Sequence, residues 1–395
     1  MLGTPTLAVR DLFSSDLRLA EATARKSVSR SRSKAQDSVW DKVWLPFMAS
    51  LGRTDPFLED QRDKIPFFQV LAARLRDGRS SRSHQPIRGK SVSDEILSVA
   101  KTFTELGAPD PRFNVYGLID SRLRNLFTGM THQDPPPNRV KPCPIQVLYH
   151  AQALVTAAPT VEAQTTITMA WIGFFYLLRT GEHVKTSDNT PLTGKNVSLS
   201  VGNRRLAPFA CPITDLDRAT QSSVEFDTQK NRVRGEIIAH GNSGHSVACP
   251  TRALARRIKT TRETGGDQNT PLCAYKRGRR WLTVSSDMLT KQLRTSVAML
   301  PHLGIKPSEL TARSLRAGGA MALLCGRVGT DIIKLVGRWR SDAMFRYLHA
   351  QALPITHNLA RIMVTHGAYT LIPGAFKPAP ALQIINDAEQ EPDPP

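Results

Sequence analysis

A proline-rich segment divides this chain and constrains its fold more strongly than any other stretch. Residues 132–144 read His-Gln-Asp-Pro-Pro-Pro-Asn-Arg-Val-Lys-Pro-Cys-Pro. Proline lacks a backbone N–H and its ring clashes with the preceding helical turn, so this run cannot continue a helix and favours an extended, semi-rigid path. Because the chain has 395 residues, enough for more than one domain, the segment predicts a linker with a domain on each side.

The part of the chain before this linker, residues 37–131, predicts a small all-helical domain. Apolar side chains recur three and four residues apart over 40–48 and 92–103, which is the spacing of one helix face. Further helices are expected over 57–76 and 117–127.

The first 36 residues predict a flexible basic arm. Within them, residues 25–34 alternate basic residues with serine. Three interpretations of this tract stay open: a nuclear-import signal, an arm that contacts phosphate groups, or a solvated tail. At the other end, residues 371–395 are rich in proline and acidic residues and predict a flexible tail.

The domain after the linker, residues 145–370, combines helices with a few strands. Helices are predicted over 145–157, 161–178, 250–264, 286–300, 308–326, 330–336, 341–351 and 353–366. Alternating residues predict strands at 197–201, 223–227 and 235–239. The predicted fold is therefore mainly α with a small antiparallel β-sheet (α+β), behind the helical domain.

The charge of the chain predicts a polyanionic partner. Lysine and arginine number 53 against 34 aspartate and glutamate residues, which gives a net charge of +19. Residues 136–370 hold 31 basic and 14 acidic residues, so the excess lies in the second domain. DNA or RNA is the usual partner of such a field, and a basic surface that only keeps the protein soluble is the alternative.

The hydropathy, the cysteines and the absence of certain motifs argue against several classes of protein. No stretch of 18 apolar residues occurs, so no membrane-spanning helix is expected, and the N-terminus lacks a secretory pattern. The five cysteines are scattered and never form a C-x-x-C pair, which favours a reducing compartment without a disulfide framework or zinc site. No phosphate-binding glycine loop, His-Glu-x-x-His motif or carboxylate cluster is present, so neither a metal nor a cofactor is predicted.

One stretch concentrates groups that can act together on a phosphate. Thr311-Ala-Arg-Ser-Leu-Arg-Ala-Gly-Gly places Arg313 and Arg316 three residues apart, on one face of a helix. Trp339 follows Arg316 by 23 residues and Tyr347 follows it by 31. A guanidinium offers a fork of donors that matches phosphate oxygens, and a tyrosine beside a phosphate held in this way is a potential nucleophile.

This stretch resembles the catalytic core of the tyrosine recombinases. The runs Ser-Leu-Arg-Ala-Gly-Gly-Ala (314–320) and Gly-Arg-Trp-Arg-Ser-Asp-Ala (337–343) look most like the transposon-encoded eukaryotic branch, the Crypton and DIRS-like elements. The detailed resemblance covers residues 165–366. It implies that a helical core-binding domain precedes a tyrosine-recombinase catalytic domain, and that the protein is a recombinase or transposase that cuts and rejoins double-stranded DNA without a metal or nucleotide.

Two further places extend the resemblance. Leu178-Arg179-Thr-Gly-Glu182 is similar to the family's first-arginine box, in which a glutamate three residues later can hold the arginine. Lys230 lies in a basic turn between two predicted strands and is similar to the family's hairpin lysine. Arg232 and Arg234 lie in the same turn and are the alternatives for that assignment. An ordinary helix end at Arg179 and an exposed lysine at 230 are the simpler interpretations.

The resemblance implies a role for each of these residues. Arg179 and Arg316 would clamp the non-bridging oxygens of the scissile phosphate. Tyr347 would attack phosphorus and form a 3′-phosphotyrosyl enzyme. Lys230 would protonate the leaving 5′ oxygen, and Trp339 would donate its indole N–H or shape the pocket by packing.

Arg313 departs from the family pattern, which has His or Lys at that place. Arginine stays protonated and is a poor base. Arg313 could stabilise charge while water or another side chain, such as His349, takes the proton. Alternatively, the chain is a catalytically silent DNA-binding protein derived from a recombinase. A type IB topoisomerase uses similar residues, and an RNA-binding protein is a third possibility that no aromatic stacking motif supports.

Further basic residues are predicted to contact DNA. They are Arg232, Arg234, Lys276, Arg277, Arg279, Arg280, Arg338 and Arg340. The cluster at 276–280 also fits an import signal or a solvated loop. We expect a homo-oligomer on DNA, a dimer or a tetramer, because the amphipathic segment 353–366 can dock on a neighbouring protomer. The expected location is nuclear in a eukaryotic host and cytoplasmic otherwise.

Overall fold

The chain divides into two units, Met1–Pro137 and Asn138–Pro395. A computed structural model describes residues 7–25, 30–136, 140–186, 189–227, 235–341 and 345. Each unit has its own hydrophobic core. The class predicted from the sequence, mainly α with a small antiparallel sheet, is confirmed.

The described residues of the first unit are helical or irregular. Its helices are α1 (Leu7–Arg25), α2 (Arg30–Val39), a π-helical stretch (Trp40–Trp44), α3 (Leu45–Ser50), α4 (Ile65–Arg76), α5 (Gly89–Glu105) and α6 (Ser121–His132). The structure is helical over 7–25, where the sequence pattern predicts a flexible arm. This stretch is rich in leucine, alanine and arginine, which have high helix propensity.

The core of the first unit is built around aromatic rings. Trp44 is fully buried, stacks on Phe68 with ring centroids 5.0 Å apart, and meets Phe103 edge-on at 5.8 Å. The Trp44 indole N–H donates to the carbonyl of Pro56 at 2.9 Å, so the polar end of the ring is satisfied. The pattern over 57–76 predicts Pro66 as an interruption or a boundary of the helix; Pro66 lies in the first turn of α4, so it marks the boundary.

The second unit begins within the predicted linker. The backbone N–H of Lys141 donates to the backbone carbonyl of Glu309 at 3.3 Å, and that of Cys143 donates to the backbone carbonyl of Ser314 at 3.0 Å. Cys143 is fully buried in the core of this unit. On the other side, Asp134 forms an ion pair with Arg76 of the first unit. The proline-rich segment is therefore tied down at both ends.

Helices make up most of the second unit. They are α7 (Ile145–Ala157), α8 (Val161–Phe175), α9 (Thr180–His183), α10 (Ile213–Asp217), α11 (Pro250–Glu263), α12 (Ser286–Ala298), α13 (Ser314–Cys325) and α14 (Thr330–Gly337), with short 3₁₀ turns at Gly194–Asn196, Pro301–Leu303 and Pro307–Glu309. Helix α8 is buried from Thr165 to Phe174, while Val161 in its first turn is exposed. A helical stretch that is buried on all sides lies in the interior of a domain.

An antiparallel sheet and a separate hairpin complete this unit. The strands are β1 (Val197–Val201), β2 (Arg204–Arg205), β3 (Gln221–Phe226), β4 (Glu236–Gly241), β5 (Ala274–Arg277) and β6 (Arg280–Thr283). The sheet order is β2-β1-β3-β4, and β5 and β6 form a separate two-stranded sheet. The three strands predicted from the sequence are thus present as β1, β3 and β4. The β5–β6 hairpin was not predicted as strands, because basic residues dominate it.

Helix α13 packs closely against α8 and against the segment before α7, because two of its glycines face the backbone there. A Cβ atom on Gly318 would overlap the carbonyl oxygen of Cys143, and one on Gly319 would overlap that of Phe174. The two glycines of the Ala-Gly-Gly-Ala run therefore allow this close packing of α13. Among the described helices, none is long and apolar enough to cross a membrane.

Candidate active site

Arg179 stands at the turn where the buried helix α8 gives way to α9. Its backbone N–H donates to Glu182 Oε2 at 2.7 Å, and its Nη1 donates to Glu182 Oε1 at 2.8 Å. The Arg179 side chain is 27% exposed, so it is partly open to solvent. The preceding residues, Leu177 and Leu178, are buried and fix the point at which the arginine leaves the core.

Arg316 lies in the first turn of α13 and is only 6% exposed. Its Nη2 donates to the carbonyl of Gly337. Its guanidinium carbon lies 4.3 Å from the centroid of the Trp339 ring, within the range of a cation–π contact. The glycines that follow Arg316 bring α13 against α8, and this places Arg316 deep in the unit.

The two arginines meet at one short segment, residues 337–339. Arg316 donates to the carbonyl of Gly337, and Arg179 Nη2 donates to the next carbonyl, that of Arg338, at 3.4 Å. Trp339 is partly buried beneath Arg316. Residues that are far apart in the sequence thus converge on the segment that precedes Tyr347 in the chain.

Arg338 corrects a prediction made from the sequence. The basic composition around it predicts a DNA contact, but its side chain is 1% exposed. Its Nη2 donates to Glu182 Oε2 at 2.8 Å and to the carbonyl of Leu177 at 3.2 Å, and its guanidinium carbon lies 3.6 Å from the ring centroid of Phe226. A side chain enclosed in this way has no surface to offer to a phosphate of the DNA backbone.

Glu182 is the carboxylate shared by Arg179 and Arg338. Burial alone would raise the pKa of Glu182, but the charges of Arg338 and Arg179 outweigh it and lower the pKa below its ordinary value. Burial lowers the pKa of Arg338, against the attraction of Glu182. The arrangement keeps three guanidinium groups, those of Arg179, Arg316 and Arg338, around one segment, with the Glu182 carboxylate between two of them.

His183 was not predicted and lies directly behind Arg179. It is fully buried, and its Nδ1 lies 3.0 Å from the carbonyl of Arg179. Its Nε2 has no hydrogen-bond partner in the described part of the chain and packs against Gly173. Burial lowers the pKa of His183 to about 4, so the ring is neutral near pH 7 and donates from Nδ1. Its position four residues after Arg179 was the only signal in the sequence.

Four of the predicted site residues lie outside the described residues: Tyr347, Lys230, Arg232 and Arg234. The strands that flank the last three are described. Strands β3 and β4 pair in antiparallel register from Gln221 opposite Gly241 to Phe226 opposite Glu236. The end of β3 also lies at the site, because Phe226 contacts Arg338.

The remaining predicted residues lie on the surface or near it. Arg313, at the start of α13, is exposed whereas Arg316 is buried, so the two arginines have different surroundings despite their helical spacing. Arg340 is exposed. In the β5–β6 hairpin Arg277, Arg279 and Arg280 are exposed, and the partly buried Lys276 donates from Nζ to the carbonyl of Thr264 at 3.1 Å.

Comparisons with known proteins gave structural likenesses only. No protein-family model and no curated protein match the chain. Among solved structures it is similar to a XerA recombinase, with 12% identity, a TM-score of 0.34 and coverage of 89% of this chain and 98% of that one. It is also similar to the Tn1549 transposon integrase in complex with transposon right-end DNA (13% identity, TM-score 0.45, coverage 91% and 99%) and with circular intermediate DNA (11%, 0.48, 88% and 98%). These scores and identities are low, so functional assignment depends on the residues of the site.

Proposed function

We propose that this chain is a tyrosine recombinase that cuts and rejoins double-stranded DNA. The observation that carries the proposal is the convergence of Arg179 and Arg316 on residues 337–339. Two guanidinium groups held at fixed positions by protein partners are preorganised to stabilise the charge of a phosphodiester as it becomes five-coordinate. The segment that they hold leads within eight residues of Trp339 to Tyr347, the proposed nucleophile.

The proposed reaction has two reversible transesterification steps. The Tyr347 hydroxyl gives its proton to water or another side chain, and its oxygen attacks phosphorus while the bond from phosphorus to the 5′ oxygen breaks. Lys230 gives a proton to that leaving oxygen. The products are a 3′-phosphotyrosyl enzyme and a free 5′-hydroxyl. Attack by a 5′-hydroxyl of another strand restores the phosphodiester and releases the tyrosine. Trp339 packs under Arg316, and Arg313 adds positive charge at the rim.

The resemblance to Crypton and DIRS-like sequences supports a more specific proposal on the origin of the protein. We assign the chain to the recombinase or transposase of a mobile element, acting in the nucleus of a eukaryotic host as a dimer or tetramer on DNA. The exposed arginines of the β5–β6 hairpin and Arg340 would contact the DNA backbone. Lys230, with Arg232 and Arg234 as alternatives, would act from the β3–β4 hairpin.

A second function is favoured by one observation. Arg313 replaces the usual His or Lys, is exposed, and cannot accept a proton. A silent DNA-binding protein derived from a recombinase would tolerate this substitution. It would bind DNA in a salt-sensitive way and would form no covalent adduct.

The test is capture of the covalent intermediate. Wild type, Tyr347→Phe and the control Tyr116→Phe are expressed in cells, which are lysed in strong denaturant, and DNA that stays attached to the protein is sequenced. Tyr116 is an exposed tyrosine of the first unit. We expect adducts with wild type and Tyr116→Phe and none with Tyr347→Phe. Adducts that persist in Tyr347→Phe would identify a different nucleophile, and DNA binding without any adduct would favour the silent protein.

A further inference from the structure

Arg338 is an unusual buried cation. Its side chain is 1% exposed, and among the described residues its Nε and Nη1 atoms have no hydrogen-bond partner. Only Nη2 is bonded, to Glu182 and to the carbonyl of Leu177, while the guanidinium lies over the ring of Phe226. Burying a charge with unmade hydrogen bonds costs stability, so a residue that served only to hold the fold together would be better apolar.

The contacts of Arg338 connect three parts of the proposed site. Through Glu182, which bonds both the backbone and the side chain of Arg179, it reaches the first arginine. Through Phe226 it reaches the end of β3, one residue before Asp227 and the hairpin turn. Through its own backbone it belongs to the segment whose carbonyls accept from Arg179 and Arg316.

The backbone conformation of Arg338 is also unusual. Its φ angle is +56°, in the left-handed region, which a non-glycine residue seldom adopts. The strain turns the chain sharply at the end of α14 and points the guanidinium inward to Glu182. Strained backbone of this kind persists where the surrounding contacts fix it, and it is frequent at functional sites.

We infer that Arg338 is a positioning residue that, together with Glu182, fixes the guanidinium of Arg179 and residues 337–339 before DNA binds. It touches neither DNA nor the reacting atoms. The inference rests on the proposed function for its catalytic consequence, but the fixation of Arg179 and of residues 337–339 is a property of the protein without DNA.

Lysine cannot replace Arg338 in this position. The arginine uses a planar fork that spans Glu182 and the Leu177 carbonyl while its face covers Phe226, whereas an ammonium group is a single point charge on a flexible stem. Arg338→Lys therefore retains the charge that neutralises Glu182 but loses the geometry. Arg257→Lys is the matched control, because Arg257 is also buried in this unit but bonds carbonyls of Leu272 and Ala274, away from the site segment.

The experiment compares wild type, Arg338→Lys and Arg257→Lys in three measurements on the full chain. Hydrogen–deuterium exchange of the free protein reports the order of residues 177–183 and 335–341. Fluorescence anisotropy with a labelled mixed-sequence duplex, in low salt, reports DNA affinity. Single-turnover formation of the covalent adduct, on duplexes of the sequences recovered by the capture experiment, reports the chemical step.

We expect Arg338→Lys to speed exchange in residues 177–183 and 335–341 by about tenfold, to change DNA affinity by less than about threefold, and to slow adduct formation by about 100-fold. Arg257→Lys should leave exchange in both segments unchanged. Unchanged exchange in Arg338→Lys, or the same pattern in both variants, would overturn the inference. If DNA affinity in Arg338→Lys falls in parallel with the rate of adduct formation, Arg338 contacts DNA directly, and the inference is overturned as well. If wild type forms no adduct, the proposed function fails while the exchange measurement still decides the inference.

Discussion

The guanidinium of Arg316 lies over the ring of Trp339, with its carbon 4.3 Å from the ring centroid. The same ring covers Gly337, where a Cβ atom would overlap it. The Trp339 ring thus packs against both Arg316, a proposed phosphate ligand, and Gly337 at the end of α14. These contacts give the indole ring a packing role.

The packing role of Trp339 predicts different effects for two substitutions. Trp339→Phe keeps an aromatic face under Arg316 while it loses the indole N–H and part of the ring, so adduct formation should slow by less than about threefold. Trp339→Ala removes the whole ring and should slow it by about 10- to 100-fold. Single-turnover adduct formation measures both. Equal, large losses in the two variants would show that the N–H acts on the phosphate.

The glycine pair of α13 predicts a local stability effect. Gly319→Ala places a Cβ atom against the carbonyl of Phe174 and the side chain of Leu177, so the second unit should lose about 1–3 kcal/mol of unfolding free energy. Gly326→Ala, at the end of the same helix, meets its nearest neighbour at 3.4 Å with an ordinary φ of −76° and should be close to neutral. Urea unfolding followed by tryptophan fluorescence tests both, and equal effects would contradict the packing argument.

His183 predicts that the second unit loses stability in mild acid. Its folded pKa of about 4 lies below the ordinary histidine value of 6.5, so between these values the unfolded chain binds a proton that the folded protein does not. Stability therefore falls as the pH drops from 6.5 towards 4, by ~3 kcal/mol for this group. His240, whose pKa is also lowered by burial, acts in the same direction.

The variant His183→Asn isolates this contribution. The Asn amide can still donate to the carbonyl of Arg179 but cannot be protonated in this range. Urea unfolding at pH 7 and pH 5 should show a smaller loss of stability in the variant than in wild type. An identical loss would mean that other groups cause the acid sensitivity.

The β5–β6 hairpin predicts a salt-dependent contribution to DNA binding. Arg277 and Arg280 lie opposite each other across the two strands, and within the described part of the chain no carboxylate pairs with them. Like charges in this position destabilise a hairpin, and a phosphate backbone would relieve the repulsion. Replacing both by Gln should weaken DNA binding and reduce the slope of log affinity against log salt by up to about 0.9 for each phosphate that is no longer neutralised.

The control for the hairpin is Arg204→Gln, since Arg204 is paired with Asp215 at 3.0 Å and should contribute less. A fluorescent fusion of the double variant tests the alternative function. Loss of nuclear accumulation with unchanged DNA affinity would identify the hairpin as an import signal and contradict the DNA contact.

The local sequence pattern was sufficient to predict regular helices and strands of this fold. Helix α7 has the predicted bounds, Ile145–Ala157, because a proline precedes its apolar periodic stretch. Strand β1 has the predicted bounds because its residues alternate. Helix α1 was missed because the adjacent run of serines and basic residues dominated the interpretation of the N-terminus.

The site was only partly predictable for a different reason. The sequence singled out Arg179, Glu182, Arg316 and Trp339, and the structure brings them together. It misplaced Arg338, because a Gly-Arg-Trp-Arg run has the composition of a solvated turn. The burial of Arg338 depends on a carboxylate more than 150 residues earlier and on a left-handed backbone angle. Neither feature is visible in a local pattern.

The two hydrophobic cores have no residue in common, and this has a consequence for how such genes can change. An exchange of coding sequence at the boundary between Pro137 and Asn138 would cut through neither core. Chimeric genes that join this second unit to a different N-terminal module would therefore retain an intact set of site residues from 179 to 339. Natural shuffling and deliberate retargeting could both use this junction.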